Sequence, residues 1–433
     1  MNAVGSPLRS AAARYLGVDL GTSGCRVCVI DDGGNERGMA EAPLPPPERS
    51  HWHSEQLPEV WWRALKTALQ ALWRQVDGAA VRCVAIDGTS ATLLATDAGG
   101  RPLGPALMYD DTRARAAAEA VAAVAPPESP ARGPGSSLAK LIYLMEQYPQ
   151  ARRALHQADW LAGRLCGRFG FSDENNCLKL GYDAQRRRWP AWMERLPVAP
   201  ALLPKVLPPG TLLGSIDAAV AAELGLSPST RVATGTTDST AAFLATGARE
   251  PGEAVTSLGS TLVLKIVAER PLFCAAHGVY SQRLGDLWLA GGASNSGGAA
   301  LLQYFTADEL QQLTPRLHPE APTGLDYYPL PHSGERFPVN DPDLAPRLEP
   351  RPRDRLSFLQ GMLEGMARIE ARGYRVLEQL GAPALTSVRT VGGGAANPAW
   401  RQIRERLLQV PLIEPRHNQT AYGAALLAKQ ALQ

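Results

Sequence analysis

Three features that would assign this chain to a familiar class are missing from it. No apolar run approaches the roughly 18–20 residues of a membrane-spanning helix, which excludes an ordinary span. The formal net charge is only +2, so there is no electrostatic case for nucleic acid or an anionic membrane. The sequence has neither a G-x-x-x-x-G-K-[ST] loop nor a G-x-G-x-x-G turn that opens a Rossmann unit. A nucleotide site in this chain must therefore have another design.

Cysteine is scarce as well, with six residues in 433. Cys25 and Cys28 form a C-x-x-C, but they lie within the strand-like CRVCVI and no second pair follows at zinc spacing. We interpret the cysteines as small buried side chains in a reducing compartment, and we predict a cytoplasmic protein. Residues 1–14, MNAVGSPLRSAAAR, lack acids and an apolar core. They resemble a transit peptide only slightly, and we expect a flexible N-terminal extension.

The length and the pattern of the chain predict two α/β domains. A chain of 433 residues is too long for one ordinary core, and 45% hydrophobic with 20% charged residues is typical of a globular protein. Strand and helix signals alternate along it, which favours an α/β fold. A proline-rich loop over 197–210 indicates a junction, and we expect domains over 15–228 and 229–433. Glycine turns in both halves suggest a duplicated unit.

The turn DLGTSG, from Asp19 to Gly24, lies between two strand-like segments. Its glycines let the backbone approach an anion, and Thr22 and Ser23 add hydroxyl donors. Asp19 would repel a bare phosphate, so its presence makes sense if a cation such as Mg²⁺ stands between the two. The alternative is an ordinary hairpin in which Asp19 accepts hydrogen bonds from the turn.

Three further glycine turns follow in the second half. TGTTDS contains Asp238, an acid that could equally be a helix cap or a turn acceptor. SLGST resembles the first turn without its acid, and Gly259, Ser260 and Thr261 could hold a second phosphate. VGGGAANP has three glycines after a strand and before a helix, which suits close approach to a base or ribose; tight strand-to-helix packing is the alternative.

Taken in this order, the four turns resemble the motifs of the FGGY carbohydrate kinases, a family of the actin-like ATPase superfamily. The segments HWHSEQLPEVWWRAL and MYDDTR also resemble family motifs, and the resemblance runs from Tyr15 to the C-terminus. It implies an α/β fold of two actin-like (ribonuclease H-like) ATPase domains with an interdomain cleft. It also implies that ATP with Mg²⁺ binds in this cleft and that a small-molecule sugar binds deeper, with neither nucleic acid nor membrane as a partner.

The resemblance also assigns roles to individual residues. Asp238 would be the general base, and Asp19 would bind Mg²⁺ directly or through water, or would contact the sugar. The expected ATP contacts are Gly21, Thr22, Gly259, Ser260, Thr261, Gly393, Gly394, Asn397 and Trp400. The expected sugar contacts are Asp19, Ser23, Asp87, Ser90, Asp111 and Asp238. For Asp87 and Asp111 the alternative is a turn acceptor or a partner of Arg113.

The segment AIDGTSATLL bears on which sugar is bound. Gly88 to Thr92 lack both the Met-His of common xylulokinases and the Arg-Glu of glycerol kinases, so the pocket floor is small and hydroxyl-rich. The short chain and SDENNCLKLGYD resemble the compact cyanobacterial and plant D-ribulose kinase (xylulose-kinase-1-like) branch. We therefore predict phosphorylation of D-ribulose to D-ribulose 5-phosphate. The alternatives are D-xylulose, another polyol or ketose, and a non-catalytic actin-like ATP-binding clamp or scaffold.

Overall fold

The structure is a computed structural model that describes residues 13–433. Residues 1–12 of the predicted N-terminal extension lie outside the described residues.

Strands and helices alternate through the N-terminal half. Its strands are β1 (Arg14–Leu20), β2 (Gly24–Asp31), β3 (Glu36–Pro43), β4 (Glu48–Ser50), β5 (His53–Gln56), β6 (Val81–Gly88), β7 (Leu93–Thr96), β8 (Ala106–Leu107), β9 (Arg153–His156), β10 (Phe171–Asp173), β11 (Lys205–Leu207), β12 (Leu212–Ser215), β13 (Arg231–Ala233) and β14 (Thr236–Thr237). Its helices are α1 (Glu59–Leu72), α2 (Arg115–Val124), α3 (Ser137–Gln147), α4 (Gln157–Cys166), α5 (Ala218–Leu224) and α6 (Asp238–Ala245).

The C-terminal half continues the same alternation. Its strands are β15 (Glu253–Leu258), β16 (Leu262–Ala268), β17 (Tyr280–Leu284), β18 (Leu287–Ser294), β19 (Ser387–Val391) and β20 (Leu412–Ile413). Its helices are α7 (Gly298–Leu301), α8 (Ala307–Leu313), α9 (Arg355–Gln379), α10 (Pro398–Leu408) and α11 (Thr420–Gln430).

The two large sheets repeat one topology over five strands, with β13-β6-β1-β2-β3 of the first corresponding to β20-β19-β15-β16-β18 of the second. The first has the order β12-β13-β6-β1-β2-β3, with β14 also paired to β6, and the second has the order β17-β18-β16-β15-β19-β20. In each, an antiparallel hairpin is extended by strands that lie parallel to its first strand: β6 beside β1, and β19 beside β15. The predicted duplicated α/β unit and the two ribonuclease H-like domains are confirmed.

Each large sheet has its own core beneath a helix of matching pattern. The 3.6-residue apolar spacing of α1 predicts one buried face, and Trp61, Leu65 and Leu69 are all buried against the first sheet. The longer α9 packs over the second sheet and buries most of its residues from Phe358 to Leu377. A separate sheet, β4-β5-β8-β7-β9, forms an extra layer in the N-terminal half.

Strand pairing shifts the division between the domains from the predicted 228/229. β13 and β14 both pair parallel with β6, so residues 231–237 complete the first sheet, and α6 follows directly from β14. The second sheet begins at Glu253. The change of sheet therefore falls between residues 245 and 253, because the proline-rich loop over 197–210 interrupts the first domain rather than ending it.

The C-terminal helix α11 returns to the first sheet and packs against β1 and α6. Glycines allow this close approach: a Cβ on Gly17 would lie 2.0 Å from the Ala421 carbonyl oxygen, and one on Gly423 would lie 1.9 Å from the Ala241 carbonyl oxygen. The last helix thus supports α6, the helix that begins at Asp238.

Two predictions about composition can be compared with the described residues. All six cysteines are free, and Cys25 and Cys28 are buried in β2, as their place in an apolar strand predicts. Within residues 13–433, no helix has the length and apolar character needed to cross a bilayer.

Candidate active site

Three carboxylates lie where strands of the first sheet end. Asp19 near the end of β1 is paired with Asp87 near the end of β6, and β14 brings Thr236 beside Asp87 from the other side. Asp238 follows β14 as the first residue of α6. Because parallel strands present their carboxyl ends at one edge of a sheet, residues far apart in sequence meet there. The predicted Asp19, Asp87 and Asp238 therefore belong to one site.

Asp19 and Asp87 form a buried acidic pair. Burial raises the pKa of both carboxyl groups, and the charge of Asp19 raises that of Asp87 further. Arg26 offsets part of this on one side, with its Nη1 3.3 Å from Oδ2 of Asp19. Among the described residues, neither oxygen of Asp87 accepts a hydrogen bond. Acceptors this deep without donors are unusual in a purely structural turn.

Asp238 is half-buried at the N-terminus of α6. Its Oδ1 accepts a hydrogen bond of 2.6 Å from the Ser239 backbone N–H. Removal from water and the negative charge of Asp19 raise its pKa to about 6, against the opposing effects of that hydrogen bond and of Lys265. The carboxylate is therefore mostly ionised at neutral pH and is still basic enough to accept a proton.

The first glycine turn closes through a hydrogen bond of 3.0 Å from the Gly21 N–H to the Gly24 carbonyl. Thr22 is half-buried and Ser23 is exposed, and neither hydroxyl bonds to another residue within 13–433. A Cβ on Gly21 would approach other atoms no closer than 3.5 Å. The turn therefore presents two hydroxyl groups beside Asp19 with no internal use for them.

The SLGST turn is supported by a segment that the sequence patterns did not indicate. The Gly259 and Ser260 carbonyls accept hydrogen bonds from the N–H groups of Gly298 (2.9 Å) and Ala299 (3.1 Å) at the start of α7. Gly297 has a φ of 144°, and a Cβ there would come within 2.9 Å of the turn backbone. The Ser260 and Thr261 hydroxyls have no partner in the described part of the chain.

The VGGGAANP turn packs against the SLGST turn. Gly392 has a φ of 87° and sits so close to Leu258 that a Cβ would lie 2.7 Å from the Leu258 carbonyl oxygen. The two turns lie together because Ser257 on β15 pairs with Val391 on parallel β19. A Cβ on Gly393 would meet nothing within 4 Å, so open space lies in front of this backbone.

The structure gives two of the predicted adenosine contacts internal roles. Asn397 is the N-cap of α10, with its Oδ1 accepting a 2.9 Å hydrogen bond from the Trp400 N–H. The Trp400 ring is buried in the second core beneath Gly394. Gly393 remains at the open side of the turn, whereas Gly394 packs on the indole of Trp400 and on Leu258.

The floor after Asp87 is held by internal hydrogen bonds. The Thr89 hydroxyl lies 2.6 Å from that of Thr92 and 2.9 Å from Oε1 of Gln157. Ala91 adopts a left-handed φ of 70°, which places the half-buried Ser90 at the tip of a tight turn. Ser90 bonds to no other described side chain, so it is the hydroxyl of this segment left free for a ligand.

Asp111 takes the role given above as the alternative for it. Its side chain is fully buried, and it accepts hydrogen bonds from the Ser54 N–H at 2.7 Å and from Nε of Arg113 at 2.9 Å. Arg113 also bridges to Glu55 at 2.7 Å. In this structure Asp111 organises the wall of the N-terminal domain through Ser54 and Arg113.

Two lysines near the site were missed by sequence reasoning. Lys265 on β16 reaches Ser239, the neighbour of Asp238, with Nζ 3.1 Å from the hydroxyl. Lys140 is fully buried and donates to the carbonyls of Ala91 (2.9 Å) and Met108 (2.6 Å), and burial lowers its pKa to about 7. A single lysine inside an otherwise apolar strand or helix is the only signal that could have marked them.

These features define a two-domain actin-like phosphotransferase, and comparison with known proteins agrees. The family model for the N-terminal domain of the FGGY family of carbohydrate kinases matches residues 14–245, and the model for its C-terminal domain matches residues 254–432. The chain therefore belongs to the FGGY family and is an ATP-dependent carbohydrate kinase. The domain models also meet where the sheets change.

The similar proteins include several xylulose kinases. That of Streptomyces coelicolor is 30% identical over 95% of this chain and 87% of its own length, and that of Escherichia coli is 28% identical over 90% and 84%. A crystal structure titled as a xyloylose kinase from Brucella ovis superposes with a TM-score of 0.88 at 29% identity, covering 96% of this chain and 90% of that one. The fold is also shared with Plasmodium falciparum glycerol kinase bound to ADP (TM-score 0.84, 17% identity, 97% and 90% covered).

Proposed function

We propose that this kinase transfers the γ-phosphoryl group of ATP to the terminal primary hydroxyl of a pentulose, with Asp238 as the general base. The observation that carries the proposal is the position of Asp238: half-buried at a helix N-terminus, with a pKa of about 6, at the edge where β1, β6 and β14 end. An ordinary turn acceptor needs neither this depth nor this basicity.

The step is an in-line displacement in which the chain supplies position and charge. Asp238 accepts the hydroxyl proton as the sugar oxygen forms its bond to the γ-phosphorus, and the bond from that phosphorus to the β–γ bridging oxygen breaks to release ADP. The hydroxyls of Thr22, Ser260 and Thr261, with the N–H groups of their turns, are the donors available to the phosphates. Gly393 leaves room for the adenosine.

Asp19 and Asp87 fit a magnesium ion. Mg²⁺ prefers oxygen ligands and commonly binds through one or two carboxylates together with water and substrate phosphates. The unpartnered oxygens of Asp87 and its contact with Asp19 provide such a pair, and residues 13–433 hold no larger cluster of metal-ligating side chains. Mg²⁺ bound there would neutralise phosphate charge in the transition state. This accounts for an acid within a phosphate-binding turn.

Among pentuloses we favour D-ribulose. The free Ser90 hydroxyl and the small residues around it leave a floor without bulky or charged groups, which separates this chain from the xylulokinase and glycerol kinase motifs quoted above. D-xylulose is the second candidate, and the names of the relatives from Streptomyces and Escherichia support it. The six free cysteines also support a reducing compartment such as the cytoplasm.

A coupled ADP-release assay tests these proposals. Purified protein with Mg-ATP is offered D-ribulose, D-xylulose, glycerol and sedoheptulose, and we expect kcat/KM to be highest for D-ribulose. Higher kcat/KM for D-xylulose would reverse our order of the two pentuloses and leave the base assignment intact. If no sugar raised ATP turnover above its basal rate, the choice of substrate class would be wrong. Ser90→Ala should reduce the preference between the two pentuloses more than it reduces kcat.

A further inference from the structure

The residues on both sides of Asp238 are held by side chains of the other domain. Lys265 on β16 donates to the Ser239 hydroxyl at 3.1 Å, and Nε2 of Gln282 on β17 donates to the Thr237 hydroxyl at 3.0 Å. Lys265 Nζ also donates to Oε1 of Gln282, so the two side chains are joined. Asp238 thus stands between two anchor points fixed from across the domain junction.

A lysine is unusual in a strand as apolar as β16. β16 reads LVLKIVA, and Lys265 is its only charged residue. Lys265 has no carboxylate within ion-pair distance among the described residues, and both hydrogen bonds named above go to neutral groups. Burial lowers its pKa to about 8 although the nearby charge of Asp238 opposes this. A half-buried ammonium without a salt bridge is best explained by the group that it faces.

Charged and titratable groups from several elements act on Asp238. Acidic groups on it come from β1 and β6, and basic groups from β16 and from the short helical turn over 176–180; the titratable and charged groups are Asp19, Asp87, Lys179, Lys265 and Tyr109. Of these side chains, Lys265 is the one that donates a hydrogen bond to a residue of α6 within the described part of the chain. It can therefore act on Asp238 through both charge and position.

We propose that Lys265 is a positioning residue of the kinase: by bonding Ser239 from the C-terminal domain, with Gln282 on Thr237, it aligns the Asp238 carboxylate and supplies the positive charge beside it. The base is then fully assembled only when the two domains are in contact. This proposal rests on the proposed function for its kinetic consequences. Its structural part, the anchoring of the α6 N-terminus, does not depend on the identity of the sugar.

The kinetic test compares Lys265→Met, which keeps the length of the side chain, with Lys265→Arg, which keeps a cationic donor. We expect Lys265→Met to lower kcat about 10- to 100-fold, since small misplacements of a catalytic group are costly, with sugar KM changed less than about threefold. Its acidic limb of kcat/KM should move to higher pH by about 0.5–1 unit, because a nearby cation favours the ionised carboxylate. Lys265→Arg should keep most of the wild-type kcat, and its acidic limb of kcat/KM should stay near the wild-type pH.

Lys179→Met is the matched control, because Lys179 faces Asp238 by charge and, within residues 13–433, makes no hydrogen bond to α6. It should move the acidic limb without the large fall in kcat. If Lys265→Met kept wild-type kcat and an unmoved acidic limb, the proposal would be overturned. The proposal would also be overturned if the fall in kcat came with a fall in the melting temperature and Lys265→Arg showed the same two losses.

Hydrogen–deuterium exchange supplies a readout that needs no activity. Peptides covering residues 234–245 should exchange several-fold faster in Lys265→Met than in wild type, while Lys265→Arg and Lys179→Met stay near wild type. Unchanged exchange in Lys265→Met would refute the anchor even in an active enzyme. Faster exchange in a protein that phosphorylates no sugar would uphold the anchor and reject the proposed function, so the two failures can be told apart.

Discussion

The two large sheets share a strand order, yet the residues at equivalent strand ends differ in charge. In the first sheet the paired residues before the glycine turns are Asp19 and Asp87; in the second they are Ser257 and Val391. Each pair joins the first strand of its hairpin to the parallel strand beside it. Duplication of a fold therefore does not duplicate its chemistry, and one edge is acidic while the other is neutral.

This difference in charge matches two separate requirements of phosphoryl transfer. A neutral edge of backbone N–H groups and hydroxyls can hold phosphates directly, whereas an acidic edge tolerates them only with a cation between. The acidic edge also provides the base. Under the proposed function, the first sheet handles the metal and the proton, and the second handles the nucleotide.

The largest expected effect comes from removing the base on the acidic edge. Asp238→Asn keeps the size of the side chain and removes its ability to accept a proton, so we expect kcat to fall about 10²- to 10⁴-fold. Coupled ADP release at saturating sugar and ATP measures this. An equal melting temperature and a similar sugar KM serve as controls for folding and binding. Sugar-dependent turnover within threefold of wild type would rule out Asp238 as the base.

Making the neutral edge acidic should weaken its binding of nucleotide. Ser257→Asp would place a carboxylate at the position that Asp19 occupies in the first sheet, next to the turn over 259–261. With no second Mg²⁺ site there, we expect ATP KM to rise at least about tenfold, or about 1.4 kcal/mol, with sugar KM unchanged.

Ser257→Asn is the matched control, because it has nearly the same shape without the charge. It should raise ATP KM far less than Ser257→Asp. If both variants raised ATP KM equally, the cause would be size, and the argument from charge would be wrong.

The pH dependence gives the next effect. A general base works when deprotonated, and burial beside Asp19 raises the pKa of Asp238 to about 6. We therefore expect kcat/KM for the sugar to be constant above about pH 7 and to fall tenfold per unit below about pH 6. Initial rates at constant ionic strength from pH 5 to 8 check this, with melting temperatures at each pH as the control. A plateau that extended down to pH 4.5 would contradict the raised pKa.

Local patterns in the sequence were enough to find this acidic edge. Strand, glycine and acid occur together at Asp19 and Asp238, and strand ends of this kind converge in an α/β sheet. The cap role of Asn397 was also readable, since Asn before Pro at a helix start is a standard signal. The family motif instead predicted an adenosine contact for it. The hydrogen bond from Arg113 to Asp111 was likewise one of the alternatives that the sequence offered, since the two residues lie two positions apart.

The cross-domain contacts could not be predicted from one sequence. Lys265 lies 26 residues from Ser239, and Gln282 lies 45 residues from Thr237. Asn175 uses its side chain to bond both Thr236, 61 residues away, and the Arg283 backbone, 108 residues away. No local periodicity specifies such pairs, because they depend on how two separately folded sheets meet.

The smallest expected effect is on the stability of the acidic edge. Asp87 is fully buried beside Asp19, and no described residue donates to it. Asp87→Asn removes one of two like charges and adds an amide that can donate to Asp19. We expect the variant without ligands to be more stable by about 1–3 kcal/mol, the usual cost of an unsatisfied buried group, and to melt a few degrees higher by differential scanning fluorimetry at pH 7.5. The order should reverse with Mg-ATP, which should stabilise wild type more if Asp87 helps to bind the metal.

Val391→Asn, at the equivalent position of the neutral edge, has no charge to relieve and should instead melt at or below the wild-type temperature. If Asp87→Asn melted lower without ligands, the acidic pair would be part of what stabilises the fold, and the contrast between the two edges would not reflect a cost accepted for function.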